Sequence, residues 1–541
     1  MSKVRSAFNR ANLKLPIKLA AGLLAGSTLL ASLLGLFRDR LLNSTYSNYP
    51  VGLDAYTVAF IIPDFMFFLL TSGALSVTFI PVFNERLQAG NKWSAWRLSY
   101  SMINFMALVT LCASVLIILF ADPIVNLLWP GLSESGHSLA VSMMRVIAVN
   151  PFIFAVASVI ASMQQAIGRF TFFALAPLIY NIGIIIGITQ FTEGIWIFGI
   201  QVFEGGIMGV ALGVVFGSIL QLLVSSLGLL GTGFEYEFKI AWRNKGFRRV
   251  LELLPARSID QGIDYVNTIV ETSLASRLVE GMVRNYQQAL TLHMVPINLI
   301  GVAISTAAFP QMTERLSQGR PDLFKKELQI VLRVIVWLAL PTAVITFFSR
   351  GYLASFLFNG GNEYVATTLG ILAVAILFRS IYHIASRAFY AQQDTKTPLY
   401  ISFFTIGLNI FLAVLFTLVY GWGIYGLAWA QAIISVVEVA LLFMIMSQRI
   451  KGIFDKTFRV AIWRMFLVSV VTAIVTWSAV FSFTLLATDL SFAATFPKFA
   501  LIVTIGLTTY VILCKFAKLK EADILITKIQ SIMFAQFKGR A

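Results

Sequence analysis

Cysteine is almost absent from this sequence: two residues in 541, Cys112 and Cys514, in apolar stretches near opposite ends. That excludes a disulfide framework and a thiolate metal centre. Charge is nearly as scarce. Asp, Glu, Lys and Arg make up 12% of the chain, where soluble proteins carry about a quarter. Histidine occurs three times, and no His/Cys set has the spacing of metal ligands. There is no GxxxxGK[ST] phosphate loop. The longest polar stretch between apolar runs, 232–249, is too short to fold by itself. Neither a nucleotide-driven motor nor enzyme chemistry on a soluble domain has a place here, and no cofactor or metal is expected.

What the chain has in abundance is apolar surface: 58% of its residues are hydrophobic and the mean hydropathy is +0.83. A spanning helix needs about 20 apolar residues. Runs broken by short polar punctuation give fourteen spans, near 17–37, 54–80, 97–121, 138–165, 171–192, 206–231, 250–275, 286–312, 328–349, 364–390, 398–420, 422–447, 461–487 and 494–514. The fold class is an all-α polytopic membrane protein. The first run is too long for a signal peptide, lacks a small-residue cleavage site and is followed at once by another span, so it is expected to stay. A net charge of +16 suggests nucleic acid, but so little water-exposed chain offers no groove for it. The charge fits basic loops facing anionic lipid headgroups.

The lysines and arginines test the orientation. With the N-terminus in the cytoplasm, 31 of the 41 fall in inside loops or tails, 6 outside and 4 within spans. That is the positive-inside pattern for an even number of spans with both ends cytoplasmic.

The sequence also repeats. Pro81-Val-Phe-Asn-Glu-Arg86-Leu-Gln-Ala-Gly90 reads against Pro310-Gln-Met-Thr-Glu-Arg315-Leu-Ser-Gln-Gly319, and the same offset sets Trp129-Pro-Gly131 against Phe358-Asn-Gly360. Asn181 then faces Asn409 one residue out of step. A register kept over about 100 residues points to duplication, so spans one to six recur as seven to twelve with the same topology. The expected organisation is a cytoplasmic segment 1–16, an N-lobe 17–231, a linker 232–249, a C-lobe 250–447, two further spans within 461–514 and an amphipathic cytoplasmic tail 515–541. Two like bundles around a hydrophilic cavity suit alternating access.

Charges inside spans are costly and mark cavities or partners. Arg257, Asp260, Asp264 and Glu271 share one stripe of the seventh span. The stripe reads either as a cavity lining or as a self-neutralising brace. Arg145 and Arg379 stand at roughly corresponding places in the two copies, Arg379 with His383 on one face. Paired arginines can hold a phosphate or snorkel to a headgroup. Asp54 reads as ordinary interface, and Pro63 as a kink beside Asp64. His293 is expected to hydrogen-bond within its own span, and Glu438 stands alone in the twelfth.

Several motifs resemble the MurJ/MviN family of lipid II flippases, within the multidrug/oligosaccharidyl-lipid/polysaccharide (MOP) exporter superfamily. They are Gly35-Leu-Phe-Arg38-Asp39, Asp54-Ala-x-x-x-Ala-Phe-x-x-Pro63, Gly73-Ala-Leu-Ser-x-x-Phe-x-Pro81, Arg169-Phe170 with Asn181, and Phe389-Tyr-Ala-x-x-Asp394-Thr-Lys396-Thr-Pro398. The resemblance covers about 20–510 and implies transport of the undecaprenyl-pyrophosphate-linked peptidoglycan precursor from inner to outer leaflet. The implied protein is a monomer of the bacterial cytoplasmic membrane, with membrane lipids and cell-wall synthesis enzymes as neighbours. Arg38 becomes a candidate pyrophosphate contact or gate residue with Asp39 beside it, and Gly35, Pro63, Asp394, Lys396 and Pro398 become structural positions of the motifs. Other charged residues of the family pattern are missing: Ser32, Phe67, Phe68 and Thr291 stand where relatives carry arginine, and Ser72 where they carry a glutamate before the Gly-Ala. The cationic role then passes to Arg145, Arg257, Arg284 and Arg379, or the substrate is another lipid-linked oligosaccharide or a drug. An intramembrane enzyme acting on lipid-linked sugars and a structural or regulatory membrane scaffold with a plugged cavity are the remaining rivals. The coupling ion is not legible; membrane potential, Na⁺ and H⁺ all fit.

Overall fold

The computed structural model describes residues 16–71, 74–197, 200–486 and 488–523; side chains at 17, 18, 21, 74–77, 196, 197, 200, 202 and 253–264 lie outside that description. Apolar sequence with few breakers folds as helix because only internal hydrogen bonds satisfy a backbone in lipid. The helices are α1 (Ile17–Thr45), α2 (Pro50–Leu70), α3 (Ala74–Gln88), α4 (Lys92–Leu128), α5 (Glu134–Ile147), α6 (Asn150–Ile167), α7 (Thr171–Thr189), α8 (Met208–Leu227) and α9 (Lys245–Ser276). They continue as α10 (Met282–Ile297), α11 (Ala303–Ser317), α12 (Pro321–Phe348), α13 (Arg350–Ser355), α14 (Glu363–Ala391), α15 (Lys396–Val414), α16 (Ile424–Arg449), α17 (Lys456–Ser482) and α18 (Phe492–Phe516).

Twelve stretches among the described residues are long and apolar enough to cross a membrane. They coincide with the expected spans two to six and eight to fourteen. The first and seventh fall on α1 and α9, which are helical but only partly described in their side chains, so fourteen is not a structural count. The expected 54–80 span is divided between α2 and α3. One feature was unforeseen: a small antiparallel hairpin, β1 (Ile195–Ile197) with β2 (Ile200–Phe203), pairing Ile197 with Ile200 and flanked by left-handed glycines 194 and 205.

The repeat is visible in the elements. α3 and α11 are both 15 residues long, each with its proline at the eighth place. Each is followed by a left-handed glycine, Gly90 at φ 74° and Gly319 at φ 69°. α5 and α14 both begin at a glutamate, Glu134 and Glu363.

The chain forms two compact units, Met1–Arg284 and Asn285–Ala541. The break falls after α9 and not in the 232–249 linker, because α9 packs on α2, α3 and α4 of the first unit. The linker is itself docked. Asn104 donates to the carbonyls of Glu237 and Lys239 at 2.7 and 3.0 Å, and Ser101 Oγ accepts from the Ala241 N–H. In the first unit the core centres on Phe79, Phe83, Met102 and Phe247; in the second, on Phe324, Ile335, Phe389 and Met465. α7 and α8 approach closest, glycine against glycine (Gly183 on Gly217, Gly187 on Gly213), so that a β-carbon on any of them would strike backbone.

Candidate functional site

The Arg38-Asp39 end of α1 carries a buried charge network within the first unit. Arg38 folds back on its neighbour, its Nη2 and Nε donating to Asp39 Oδ1 at 3.0 and 3.3 Å. Its Nη1 donates to Asn181 Oδ1 on α7 at 2.9 Å, and the Asn181 amide is itself fixed by donating to Pro177 O. Gly35 lies one turn earlier, facing that same Asn181 oxygen. Arg284 closes the other side. Its Nη2 lies 3.4 Å from Asp39 Oδ1, its Nε donates to Asn43 Oδ1 at 2.9 Å, and it stands over the Tyr56 ring.

Asp54 is not ordinary interface. It is buried, and its two oxygens accept the backbone N–H groups of Gly281 and Arg284 at 2.6 and 2.8 Å. A carboxylate of α2 thus caps the N-terminus of α10, where the helix dipole favours negative charge. Two arginines and two aspartates balance within a few ångströms. Breaking such a buried set by removing one partner costs about 3–5 kcal/mol. The Arg38 side chain is the open member, 21% exposed against 9% for Asp39 and 6% for Arg284.

The other expected site residues lie elsewhere. Arg145 is exposed and donates to the Ile118 carbonyl of α4. Arg379, in the second unit, is ion-paired to Glu438 at 3.1 Å and bonded to Gln431 at 3.2 Å. Glu438 also accepts from the Ser402 and Thr405 hydroxyls, so the glutamate that looked solitary is well partnered. The side chains of Arg257, Asp260 and Asp264 lie outside the described residues; Glu271, fourth of that stripe, is buried and accepts from Asn267 at 3.0 Å. His293 departs from expectation: it is buried, and among the described residues neither ring nitrogen has a hydrogen-bonding partner. No group of metal-ligating residues occurs among the described residues. Where the family pattern has arginine, Ser32 bonds its own helix, Phe67 packs on Phe154 and Thr291 bonds Gln287 O; Ser72, in the place of the family's glutamate, is outside the description. Arg284, set two turns from the expected place, is the residue that meets Asp39.

The Asp394-Thr-Lys396-Thr-Pro398 motif is a clamp. Asp394 accepts the backbone N–H groups of Lys396 and Thr397 and the Thr397 hydroxyl, and is ion-paired to Arg449 at 2.7 Å. Partial burial pushes its carboxyl up, but these donors outweigh that and hold it at about 2. Lys396 is exposed and Pro398 buried in the first turn of α15, where a missing N–H costs nothing. Pro63 is buried within α2. Arg449 escaped sequence reasoning because its partner is 55 positions away in the chain.

This architecture is shared with solved transporters. A structure described as a multidrug resistance MATE family transporter of the MOP superfamily, in its inward-facing conformation, superposes with TM-score 0.67 at 15% identity, covering 79% of this chain and 96% of that one. The two chains share one fold. A structure described as lipid II flippase MurJ, inward closed conformation, gives TM-score 0.73 at 24% identity over 92% of this chain and 99% of that one. The family model for lipid II flippase MurJ matches residues 50–503, and the chain belongs to the MurJ family. Among curated relatives, the probable lipid II flippase MurJ of Thermotoga maritima is 26% identical over 92% of this chain and 96% of its own. The lipid II flippase MurJ of Burkholderia cenocepacia is 27% identical over 70% and 74%.

Proposed function

We propose that this multi-pass membrane protein is a lipid II flippase. It carries the lipid-linked peptidoglycan precursor from the inner to the outer leaflet of the bacterial cytoplasmic membrane by alternating access, with both chain ends in the cytoplasm. It is a transporter and not an enzyme, acts as a monomer, and needs no cofactor. Membership of the MurJ family carries this reading, and the Arg38 network gives it a chemistry. Arg38 holds a carboxylate through two N–H groups while remaining partly open. A diphosphate offers the same guanidinium anionic oxygens that can accept those two N–H groups in place of Asp39 Oδ1. Exchanging Asp39 for the pyrophosphate would loosen Asp39 from Arg38 while Arg284 keeps it in place, so substrate arrival and rearrangement of the Arg38–Asp39–Arg284 network become one event.

The test is complementation of a flippase-depleted bacterium, scored by accessibility of lipid II at the outer leaflet. Arg38→Ala should accumulate in the membrane and fail to flip. Arg38→Lys, which keeps the charge but loses the bidentate fork, should flip about tenfold more slowly, the equivalent of one charge-assisted hydrogen bond. Full activity of Arg38→Ala would remove this residue from the mechanism.

A further inference from the structure

Away from that network, the second unit gathers positive charge where the first half of α12, the start of α17 and the end of α18 meet. Arg333, Lys456, Arg464, Lys518 and Lys520 line one cavity of about 330 Å³. Glu521 and Asp455, which lie beside this set, are both engaged. Glu521 is ion-paired to Arg333 at 2.6 Å, and Asp455 caps α17 by accepting from the Phe458 N–H and the Thr457 hydroxyl. The lining holds these five cations and no carboxylate among the described residues, so the cavity is cationic.

The backbone is bent to make it so. α18 ends with Lys518 in the left-handed conformation, φ 54°, with the Lys518 N–H bonded to Lys515 O and the Leu519 N–H to Cys514 O, both at 3.0 Å. Glycine is the usual occupant of that turn. Arg464 braces it by donating to Ala517 O. The turn brings Lys518 and Lys520 to the same wall as Lys456 and Arg464. Lys518 also borders a second, apolar cavity of about 650 Å³ along α18, formed with Val511, Ile512, Lys515 and Phe516. Ile512 and Phe516 are strongly exposed.

A cationic cradle at the ends of two candidate spans, opening sideways onto an apolar groove, matches one kind of ligand: phosphate and alkyl chain side by side at headgroup depth. We propose that this is a binding site for an anionic phospholipid, its phosphate-bearing headgroup in the Lys456–Arg464–Lys518 cradle and an acyl chain along Ile512 and Phe516. It is distinct from the Arg38 network and independent of what the protein transports.

The experiment uses the full chain purified in neutral detergent. Bound phosphatidylglycerol is counted by native mass spectrometry, and melting is followed in phosphatidylcholine micelles with and without phosphatidylglycerol. The wild type should retain phosphatidylglycerol and melt higher in its presence. Lys456→Gln/Arg464→Gln/Lys518→Gln should bind it at least about tenfold more weakly, a loss of about 1.4 kcal/mol, and lose the melting shift. Arg243→Gln/Lys245→Gln, equal in kind but elsewhere, should keep both. Ile512→Ser/Phe516→Ser should weaken lipid retention as well. Should the triple variant not fold, Lys518→Gly removes one cradle charge while easing the turn, and should weaken retention in a protein that still melts cooperatively. Three outcomes overturn the site: undiminished retention by the cradle variants, an equal loss in the Arg243/Lys245 control, or full reproduction of the melting shift by inorganic phosphate in phosphatidylcholine alone.

Discussion

The two copies of the repeat keep the same backbone punctuation and spend their side chains differently. In the first copy Arg86 is half-buried, donating to Asn244 Oδ1 at 2.8 Å and Ser94 O at 3.2 Å, which ties the start of α9 to α3. Its counterpart Arg315 is half-buried too, but its bond is local, to the Gln318 side chain at 3.5 Å. Trp129 is fully buried and donates to Thr272 at 3.0 Å; Phe358 in the same place has no such donor. In the first copy the third helix runs unbroken as α4 and the fourth is broken between α5 and α6, where Pro151 starts a new helix. In the second, α12 and α13 are broken and α14 is continuous. Duplication preserves where the chain turns, because turns depend on local residues. It does not preserve which long side chain crosses to which neighbour, and function diverges there.

If that is right, buried charge should matter most in the copy that concentrates it. Arg284→Ala leaves Asp39 with Arg38 alone and removes the bond to Asn43, while Asp54 keeps its two backbone donors, and should destabilise the first unit by about 2–4 kcal/mol. Arg379→Ala deprives Glu438 of its cation, but the Ser402 and Thr405 hydroxyls remain and the arginine was 29% exposed, so the loss should be about 1–2 kcal/mol. Denaturation of the two variants in the same micelles compares them directly; equal losses would break the asymmetry.

The comparison also separates what was legible from what was not. The apolar runs, the duplicated Pro-to-Gly motif and the Arg38-Asp39 pair could be read, since each is local in sequence; the Asp394-to-Pro398 motif was picked out by resemblance, without its distant partner Arg449. Arg284 was singled out as a charge but not as the partner of Asp39, which lies 245 positions away. Asp54 looked like interface because an aspartate near a span end usually is one; that it caps another helix depends on tertiary packing. The β1–β2 hairpin was missed because three and four residues are too short for a periodic signal. A signal that went unused was the run Gly209, Gly213 and Gly217 on α8 against Gly183 and Gly187 on α7, the four-residue spacing of small residues at a close helix contact.

That contact gives the next test. Gly213→Ala places a β-carbon against the Gly187 backbone and should cost about 1–3 kcal/mol, measured by melting. In the second copy α15 replaces α7, and a β-carbon at Gly407 meets nothing within 4 Å. Gly407→Ala should therefore be neutral or stabilising by up to about 1 kcal/mol through helix propensity. Destabilisation by both would mean the two pairs pack alike after all.

A smaller effect is expected at the clamp. The Asp394 carboxyl titrates at about 2 in the folded chain against an ordinary 3.8. A group lowered in this way stabilises the fold above its unfolded value and loses that contribution as pH falls from about 4 to about 2. Discounted for solvent screening, the contribution is about 1 kcal/mol. Asp394→Asn should lower stability by that amount at neutral pH and flatten the dependence in that acid window. Unchanged acid dependence would place its origin in other carboxylates.

The smallest effect bears most directly on how the copies diverged. Both α6 and α14 end in the same turn: the Gly168 N–H bonds Gln165 O and the Arg169 N–H bonds Gln164 O, as the Gln393 N–H bonds Tyr390 O and the Asp394 N–H bonds Phe389 O. The left-handed place is taken by Gly168 at φ 81° in one copy and by Gln393 at φ 61° in the other. A non-glycine residue there costs about 1–2 kcal/mol. The second copy tolerates it because Asp394, next in the chain, collects three hydrogen bonds and Arg449. Gln393→Gly should then raise stability by up to about 1 kcal/mol, part of the strain relief being returned as extra freedom of the unfolded chain. Gly168→Ala, with no such clamp beside it, should lower it by about 1–2 kcal/mol. Opposite signs at two equivalent positions would show the clamp compensating a turn that the other copy makes with glycine; a loss at both would mean that Gln393 is held by contacts of its own and that the strain it carries is small.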